Sequence, residues 1–135
     1  MSYSHEIEVY VRFCETDARG HVNNTSYFLY FEEARTKFFN EVYPDRSSSF
    51  NFLLASIKCD YIQQTYAGQI LKVSTNVSRL GNKSFIISQT LTEIESGNVV
   101  AEAGVVLVCF DKSKQTSIHI PDELKNSLEM HLVLN

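Results

Sequence analysis

Five segments of this chain carry the hydrophobic patterns of β-strands. They cover residues 6–13, 53–66, 70–80, 84–94 and 99–110. The first alternates cleanly, as a half-buried strand does, and its apolar face consists of Ile7, Val9, Val11 and Phe13. The last is apolar on both faces from Gly104 to Phe110, which indicates a central strand of a sheet.

Tight turns join the last three of these strands. Gly81-Asn82 is a two-residue hairpin signal with glycine first, which predicts a type II′ turn. Ser96-Gly97-Asn98 marks the next turn. Strands that follow one another through such short connections pair antiparallel, so the sequence predicts an antiparallel sheet.

Apolar residues three and four positions apart predict a helix from about residue 25 to residue 42, ending near Pro44. A serine-rich loop over 45–51 follows it. The helix is apolar around most of its circumference at its start, so a sheet or a partner chain has to cover it. A short final helix opens at Pro121, and its apolar stripe consists of Leu124, Leu128 and Leu132.

The order of elements is therefore strand, long helix, four strands and short helix. It predicts an α+β fold in which a five-stranded antiparallel sheet wraps around one long central helix, as a single domain over 1–135. One sheet over one helix leaves a sheet face and a sheet edge uncovered. We therefore expect a homo-oligomer.

Composition and charge narrow the function. Of the 135 residues, 44% are hydrophobic and 21% are charged, and the net charge is -4, so no basic footprint for nucleic acid is present. No apolar run reaches the roughly 18–20 residues of a membrane span, and the first residues lack the apolar core of a signal peptide. The three cysteines include no CxxC pair, which favours a reduced, cytoplasmic protein.

The sequence also argues against cofactors. Neither a Walker loop nor a GxGxxG motif occurs, so we expect no nucleotide cofactor. The four histidines are too scattered for a metal site, so we expect no metal.

Candidate chemistry concentrates in residues 17–24, between the first strand and the long helix. Asp17 and His21 offer groups for nucleophilic attack and proton transfer. The N–H groups at the start of a helix can stabilise an oxyanion, and together these features are the equipment for acyl transfer. Asp, Gly and Asn are also ordinary turn and cap residues, so a structural role for this loop, with Asn24 or Thr25 as helix cap, stays open.

A family resemblance rests on the stretch VRFCETDARGHVNNTSYFLYFEEAR, from Val11 to Arg35. It resembles the (E/D)TDxxGHVNNxxYxxYxExAR signature of the hotdog-fold acyl-CoA thioesterases, specifically the 4-hydroxybenzoyl-CoA thioesterase-like group. The SRLGNKSF hairpin and the closing IPDEL are also similar to that family. The resemblance implies the hotdog fold, an acyl-CoA substrate cleaved to a carboxylic acid and CoA, and dimers joined sheet edge to sheet edge, often paired again into tetramers.

The same resemblance implies roles for residues of the loop. Asp17 aligns with the catalytic carboxylate that attacks the thioester or activates water. Backbone N–H groups around Asn23 and Asn24 would polarise the thioester carbonyl. His21 matches the histidine of the GHVNN form, but Arg19 stands where plant acyl-ACP thioesterases carry the asparagine of their Asp/Asn/His set.

Further candidates concern the substrate. Tyr27 and Tyr30 are expected to wall the acyl pocket. CoA phosphates need local positive charge, for which Arg79 and Lys83 are candidates. The alternatives for that charge are Arg12, Arg19 and Lys58.

Two acidic residues on the predicted helix stay open. Glu32 and Glu33 are interpreted as surface pairs with Arg35 and Lys37, with Glu32 as a reserve catalytic acid.

Hydrolysis of an acyl-CoA thioester is the leading hypothesis. The alternative is a non-catalytic module that binds acyl-CoA or acyl-carrier protein on the same fold. A hotdog dehydratase ranks last, because those enzymes usually depend on a histidine on the helix and this helix has none.

Overall fold

The computed structural model describes residues 4–44 and 50–133. Its strands are β1 (His5–Tyr10), β2 (Phe50–Tyr61), β3 (Ile70–Leu80), β4 (Ser84–Glu93), β5 (Val99–Asp111) and β6 (Thr116–Ser117). Its α-helices are α1 (Asn24–Val42) and α2 (Asp122–Glu129), and a 3-10 turn covers Phe13–Glu15. The predicted long helix is confirmed to within one residue.

All strands belong to one antiparallel sheet in the order β1-β3-β4-β5-β2, with the two-residue β6 paired to the end of β5. The predicted five-stranded sheet around one long helix is therefore confirmed. The strand predicted to be central, β5, does lie between β4 and β2. Within the described residues, the outer edge of β2 pairs with no strand.

The core forms where α1 lies on the inner face of the sheet. Residues of β3, β4 and β5 alternate between buried and partly exposed, so every second side chain points at the helix. From the helix, Phe31, Ala34 and Phe38 are fully buried. The buried apolar residues form two clusters, one near the start of α1 and one near its end, where α2 adds Leu124 and Leu128.

The first strand is shorter than its pattern predicts. We expected it to continue to Phe13 with that ring on the buried face, but β1 ends at Tyr10 and Phe13 is 83% exposed. The chain leaves the sheet because Arg12 and Glu15 close a 3-10 turn, in which the Glu15 carboxylate accepts the Arg12 N–H at 2.9 Å.

The second predicted strand is displaced along the chain. Residues 62–66 form a loop, while the strand starts at Phe50, inside the predicted serine-rich loop. The rest of that predicted loop, 45–49, lies outside the described residues. The loop after β2 turns back at Gly68, which has a φ of 89° that glycine adopts readily.

The predicted type II′ turn at Gly81-Asn82 is wrong. That turn needs a positive φ at its glycine, and the glycines with positive φ in the described residues are Gly20, Gly68 and Gly97. Instead Leu80 pairs with Phe85, and the longer loop between them is bonded to β5 and to the segment that precedes α2. The carbonyls of Asn82 and Lys83 accept the N–H groups of Ile120 and Cys109 at 2.8 and 2.9 Å.

No helix in the described ranges is long and apolar enough to cross a membrane.

Candidate active site

Asp17 opens a tight turn that closes at His21. The Asp17 N–H donates to the His21 carbonyl at 2.7 Å, and the Gly20 N–H donates to the Asp17 carbonyl at 3.0 Å. Gly20 has a φ of 83°, which explains why a glycine stands here. A bridge between Thr16 and Val22 closes the base of the turn.

The Asp17 carboxylate is exposed and partly bonded. Its Oδ1 accepts the Arg19 N–H at 2.9 Å and the His21 N–H at 3.3 Å. These bonds are those of an ordinary aspartate turn, and they also fix the direction in which the carboxylate points. Its exposure leaves the carboxylate accessible to a substrate in the single chain.

His21 contacts Asp17 through its backbone and not through its ring. The imidazole is half-buried and packs edge-on against Tyr66, with 5.2 Å between the ring centroids. The backbone of His21 also forms a bridge with Tyr66, and the next residue, Val22, donates its N–H to the Thr65 carbonyl at 2.9 Å. The loop between β2 and β3 therefore supports this side of the turn.

The start of α1 lies beside the turn. Asn23 is the N-cap residue, but its N–H already donates to the Glu15 carbonyl at 3.0 Å. Its side chain accepts from the Thr25 hydroxyl at 3.1 Å and caps no helix N–H. Within the described residues, the N–H groups of Asn24 and Thr25 have no acceptor. They are the free donors of the first helical turn, where the helix dipole is positive.

A cavity of about 130 Å³ lies at this end of the helix. Tyr27 and Tyr61 form its aromatic wall, with ring centroids 5.3 Å apart. The Tyr27 hydroxyl pairs with Thr65 Oγ1 at 2.7 Å and is buried. The remaining lining residues are Asn24, Ile62, Gln63 and Gln64.

Sequence reasoning missed Gln63 and Gln64, because the pattern extended the second strand through them.

Tyr30 does not line this cavity. It is 3% exposed, and its hydroxyl donates to Glu15 Oε1 at 3.0 Å. Burial and the neighbouring carboxylate raise the pKa of Tyr30 far above its usual range, so the hydroxyl stays a donor. The structure thus brings Tyr27, but not Tyr30, to the cavity beside Asn24.

Arg79 and Lys83 line a second cavity of about 540 Å³ at the β3–β4 loop. His119 lies on the same cavity and was not singled out from the sequence, because it follows β6 and lies 36 positions beyond Lys83 in the chain. Among the described residues, none of those that line this cavity carries a carboxylate. The Asp17 turn lies at the opposite end of β3 in the same chain. The length of β3 separates the two by about 30 Å, since a β-strand rises about 3.3 Å per residue.

The alternative candidates for binding CoA phosphates lie outside this second cavity. Arg12 pairs with Glu15 at 3.1 Å. Lys58 lines a separate depression on the sheet with Asp60 and Glu102. Arg19 is exposed within the turn itself and donates its backbone N–H to Asp17.

The helix acids differ from one another. Glu33 and Lys37 form the expected surface pair at 2.7 Å. Glu32 remains exposed, and Arg35 donates instead to the buried Gln89 at 3.2 Å.

The described residues include no group of three or more metal-ligating side chains.

Comparison with known proteins gives a consistent result. A family model described as the thioesterase-like superfamily matches residues 11–128. The long-chain acyl-CoA thioesterase FadM of Escherichia coli is 30% identical over 132 residues, covering 92% of this chain and 96% of FadM. An uncharacterised protein of Bacillus subtilis, YsmA, is 31% identical over 94% of this chain and 86% of its own length.

Solved structures agree with the sequence comparison. A predicted thioesterase from Bacillus stearothermophilus superimposes with a TM-score of 0.89 at 30% identity, over 98% of both chains. A protein from Staphylococcus aureus in complex with CoA has the same TM-score of 0.89 at 15% identity, which shows a shared fold.

Proposed function

The chain belongs to the thioesterase-like superfamily and is a thioester hydrolase, and we propose that Asp17 and the N-terminus of α1 are its catalytic groups. The observation that supports this proposal most directly is the set of hydrogen bonds that joins the Asp17 turn to the start of α1. The exposed Asp17 carboxylate lies at one end of the connection 17–24, and the free Asn24 N–H lies at the other end. Hydrogen bonds made by Glu15 and His21 hold this connection in place. The proposed substrate is an acyl-CoA, the class of substrate that the related long-chain acyl-CoA thioesterase FadM cleaves.

In the proposed reaction the thioester carbonyl lies at the start of α1. The Asn24 N–H donates to the carbonyl oxygen and stabilises the negative charge that develops on it. Acting as general base, Asp17 takes a proton from water, whose oxygen attacks the carbonyl carbon. The C–S bond then breaks and the thiolate leaves with the proton that Asp17 holds. This releases CoA and the carboxylic acid and restores the Asp17 carboxylate.

Acting as nucleophile, Asp17 instead forms an anhydride with the acyl group and expels CoA. Water then hydrolyses the anhydride to the acid and the free carboxylate. Both routes place the same demand on the structure, a carboxylate near the carbonyl carbon and a donor near its oxygen. The N–H of Asn23 is already bonded to the Glu15 carbonyl. Asn23 therefore contributes by fixing the start of α1 and not as an oxyanion donor. His21 positions Asp17 through its backbone N–H.

We further propose that the acyl group enters the cavity walled by Tyr27 and Tyr61 and that CoA phosphates bind Arg79, Lys83 and His119. A cavity with three cationic or protonatable side chains and no carboxylate suits phosphate groups. Because this cavity lies at the opposite end of β3 from Asp17, it serves the active site of a second chain. We propose a homodimer joined at the free edge of β2, where Leu53 and Leu54 are 52% and 46% exposed.

An Asp17→Asn variant tests the catalytic proposal. The rate of hydrolysis of a panel of acyl-CoAs, measured as release of the CoA thiol, is expected to fall at least about 100-fold. The circular dichroism spectrum of the variant is expected to match that of the natural chain. Asp122→Asn, an exposed aspartate in the first turn of α2, is the matched control and keeps full activity. Undiminished turnover by folded Asp17→Asn contradicts the assignment. Saturable binding of acyl-CoA without turnover by the natural chain identifies a binding module instead.

A further inference from the structure

Glu15 makes more hydrogen bonds than closing the 3-10 turn with Arg12 requires. Its Oε1 accepts the Arg12 N–H at 2.9 Å and the Tyr30 hydroxyl at 3.0 Å, and its Oε2 accepts the Arg12 guanidinium at 3.1 Å. The side chain is 12% exposed. Burial alone would raise the pKa of Glu15, but the hydrogen bonds from Arg12 and Tyr30 outweigh it and lower that pKa. The carboxylate therefore stays ionised in its partly buried position.

The backbone of Glu15 is bonded to the same helix. Its carbonyl accepts the Asn23 N–H at 3.0 Å and the Ser26 hydroxyl at 3.0 Å. Side chain and backbone of one residue thus attach to the cap and to the first two turns of α1. Among the described residues, every hydrogen bond between segment 13–17 and α1 with its cap is made by Glu15.

This arrangement determines where two catalytic groups lie relative to each other. Asp17 follows Glu15 by two residues, a span of at most about 7 Å. The Glu15 carbonyl accepts the N–H of Asn23, and the next N–H along the chain, that of Asn24, is the first free one of the helix. Any movement of Glu15 relative to Tyr30 would change the separation between the carboxylate of Asp17 and the oxyanion donor.

We propose that Glu15 is a positioning residue for thioester hydrolysis, which sets the separation of Asp17 from the N-terminus of α1 through Tyr30, Asn23 and Ser26. This inference rests on the proposed function. The Tyr30 hydroxyl is accordingly the anchor of Glu15 and not a substrate contact. A misplacement of about 1 Å at such a site costs about 100-fold in rate, while binding of the substrate elsewhere is retained.

The test compares Glu15→Gln, Tyr30→Phe and the double variant by kcat and KM on one acyl-CoA. Glu15→Gln is expected to lower kcat by about 10–100-fold with KM changed by less than about 3-fold. Tyr30→Phe, which removes one hydroxyl, lowers kcat by a smaller factor. Since both variants break the same contact, the double variant is no worse than Glu15→Gln. Glu33→Gln, which removes only the exposed pair with Lys37, is the control and keeps kcat.

Each outcome has a distinct meaning. Urea unfolding of every variant separates positioning from stability, and an activity loss that matches the loss of folded protein overturns the proposal. So do effects of Glu15→Gln and Tyr30→Phe that simply multiply in the double variant. If Glu15→Gln does not fold, the kcat and KM of Tyr30→Phe alone decide. An inactive Asp17→Asn beside a fully active Glu15→Gln rejects only the positioning role, whereas an active Asp17→Asn rejects the proposed function.

Discussion

The bonds of Glu15 and Gln89 connect residues that are distant in the sequence. Glu15 reaches Tyr30, 15 positions away. Gln89, buried on β4, donates to the Phe31 carbonyl at 3.0 Å and accepts from Arg35 at 3.2 Å. A buried polar group needs such partners, because leaving one unsatisfied costs about 1–3 kcal/mol.

We predict that the ionised Glu15 carboxylate stabilises the fold and that this contribution disappears at acid pH. Because its pKa in the folded chain is lowered, Glu15 stabilises the fold fully above the ordinary glutamate pKa of about 4.3, and this contribution is lost as the pH falls through the lower folded pKa. The Tm of the natural chain should exceed that of Glu15→Gln near neutral pH, and the difference should shrink below about pH 4.

Thermal unfolding between pH 3 and pH 7 measures that difference. Glu93 and Asp111 also have lowered pKa values, because turn N–H groups bond to their carboxylates, but they are identical in both proteins and cancel. Glu33→Gln serves as the exposed control. A Tm difference that is constant with pH contradicts the prediction.

Some residues of the candidate site can be identified from a short stretch of sequence, and others only from the folded structure. Asp17, His21 and the helix start could be singled out from the sequence because they lie within eight consecutive positions and resemble a known signature. The engaged N–H of Asn23, the inward hydroxyl of Tyr30 and the cavity position of His119 could not. They depend on contacts across the fold that no hydrophobic period encodes.

At the scale of elements, hydrophobic pattern predicts which segments are strands better than where they end. Both misplaced ends have a polar cause. The first strand ends early because Glu15 draws the Arg12 N–H into a turn, although Val11 remains fully buried as its pattern requires. The second ends at Tyr61, and the following loop buries Thr65 against Tyr27. The alternation of the first segment continues past its end, and the second segment is mixed along its whole length, so the pattern alone detects neither end.

The proposed catalytic turn, residues 17–21, is predicted to depend on Gly20. A Cβ on Gly20 would meet no atom within 4 Å, so substitution by alanine strains only the backbone at its φ of 83°. Gly20→Ala should lower the free energy of unfolding by about 1–2 kcal/mol and reduce kcat, because the turn that orients Asp17 relaxes.

Gly104→Ala is the matched control for this substitution. Gly104 also has open space around an added Cβ, but it lies in β5 without a positive φ. Alanine there should leave stability unchanged or raise it slightly. Urea unfolding measures both variants, and equal effects of the two substitutions would show that backbone strain at Gly20 is not the cause.

At the scale of the whole molecule, the proposed catalytic and CoA-binding groups lie at opposite ends of the fold. Asp17 lies beyond the start of β3, while the cationic cavity of Arg79, Lys83 and His119 lies at its end. A two-fold axis through the free edge of β2 would pair two such edges antiparallel and bring the cationic end of one chain to the Asp17 end of the other. This geometry makes a prediction that separates a shared site from a site within one chain.

Mixed dimers test that prediction. A chain with Asp17→Asn and a chain with Arg79→Ala/Lys83→Ala are each expected to be nearly inactive. After unfolding and refolding together in equal amounts, half of the dimers contain both chains, and each of these holds one intact shared site. Activity should therefore recover to about one quarter of that of the natural protein, whereas a site within one chain gives no recovery.

A second mixture controls for refolding. Here all three substitutions are placed in one chain, which is refolded with an equal amount of the natural chain. Shared sites require two natural chains and give about one quarter of full activity, while sites within one chain give about half. Because the first mixture gains activity only if the site is shared and the second loses activity only if it is shared, the two results together decide where CoA lies relative to Asp17.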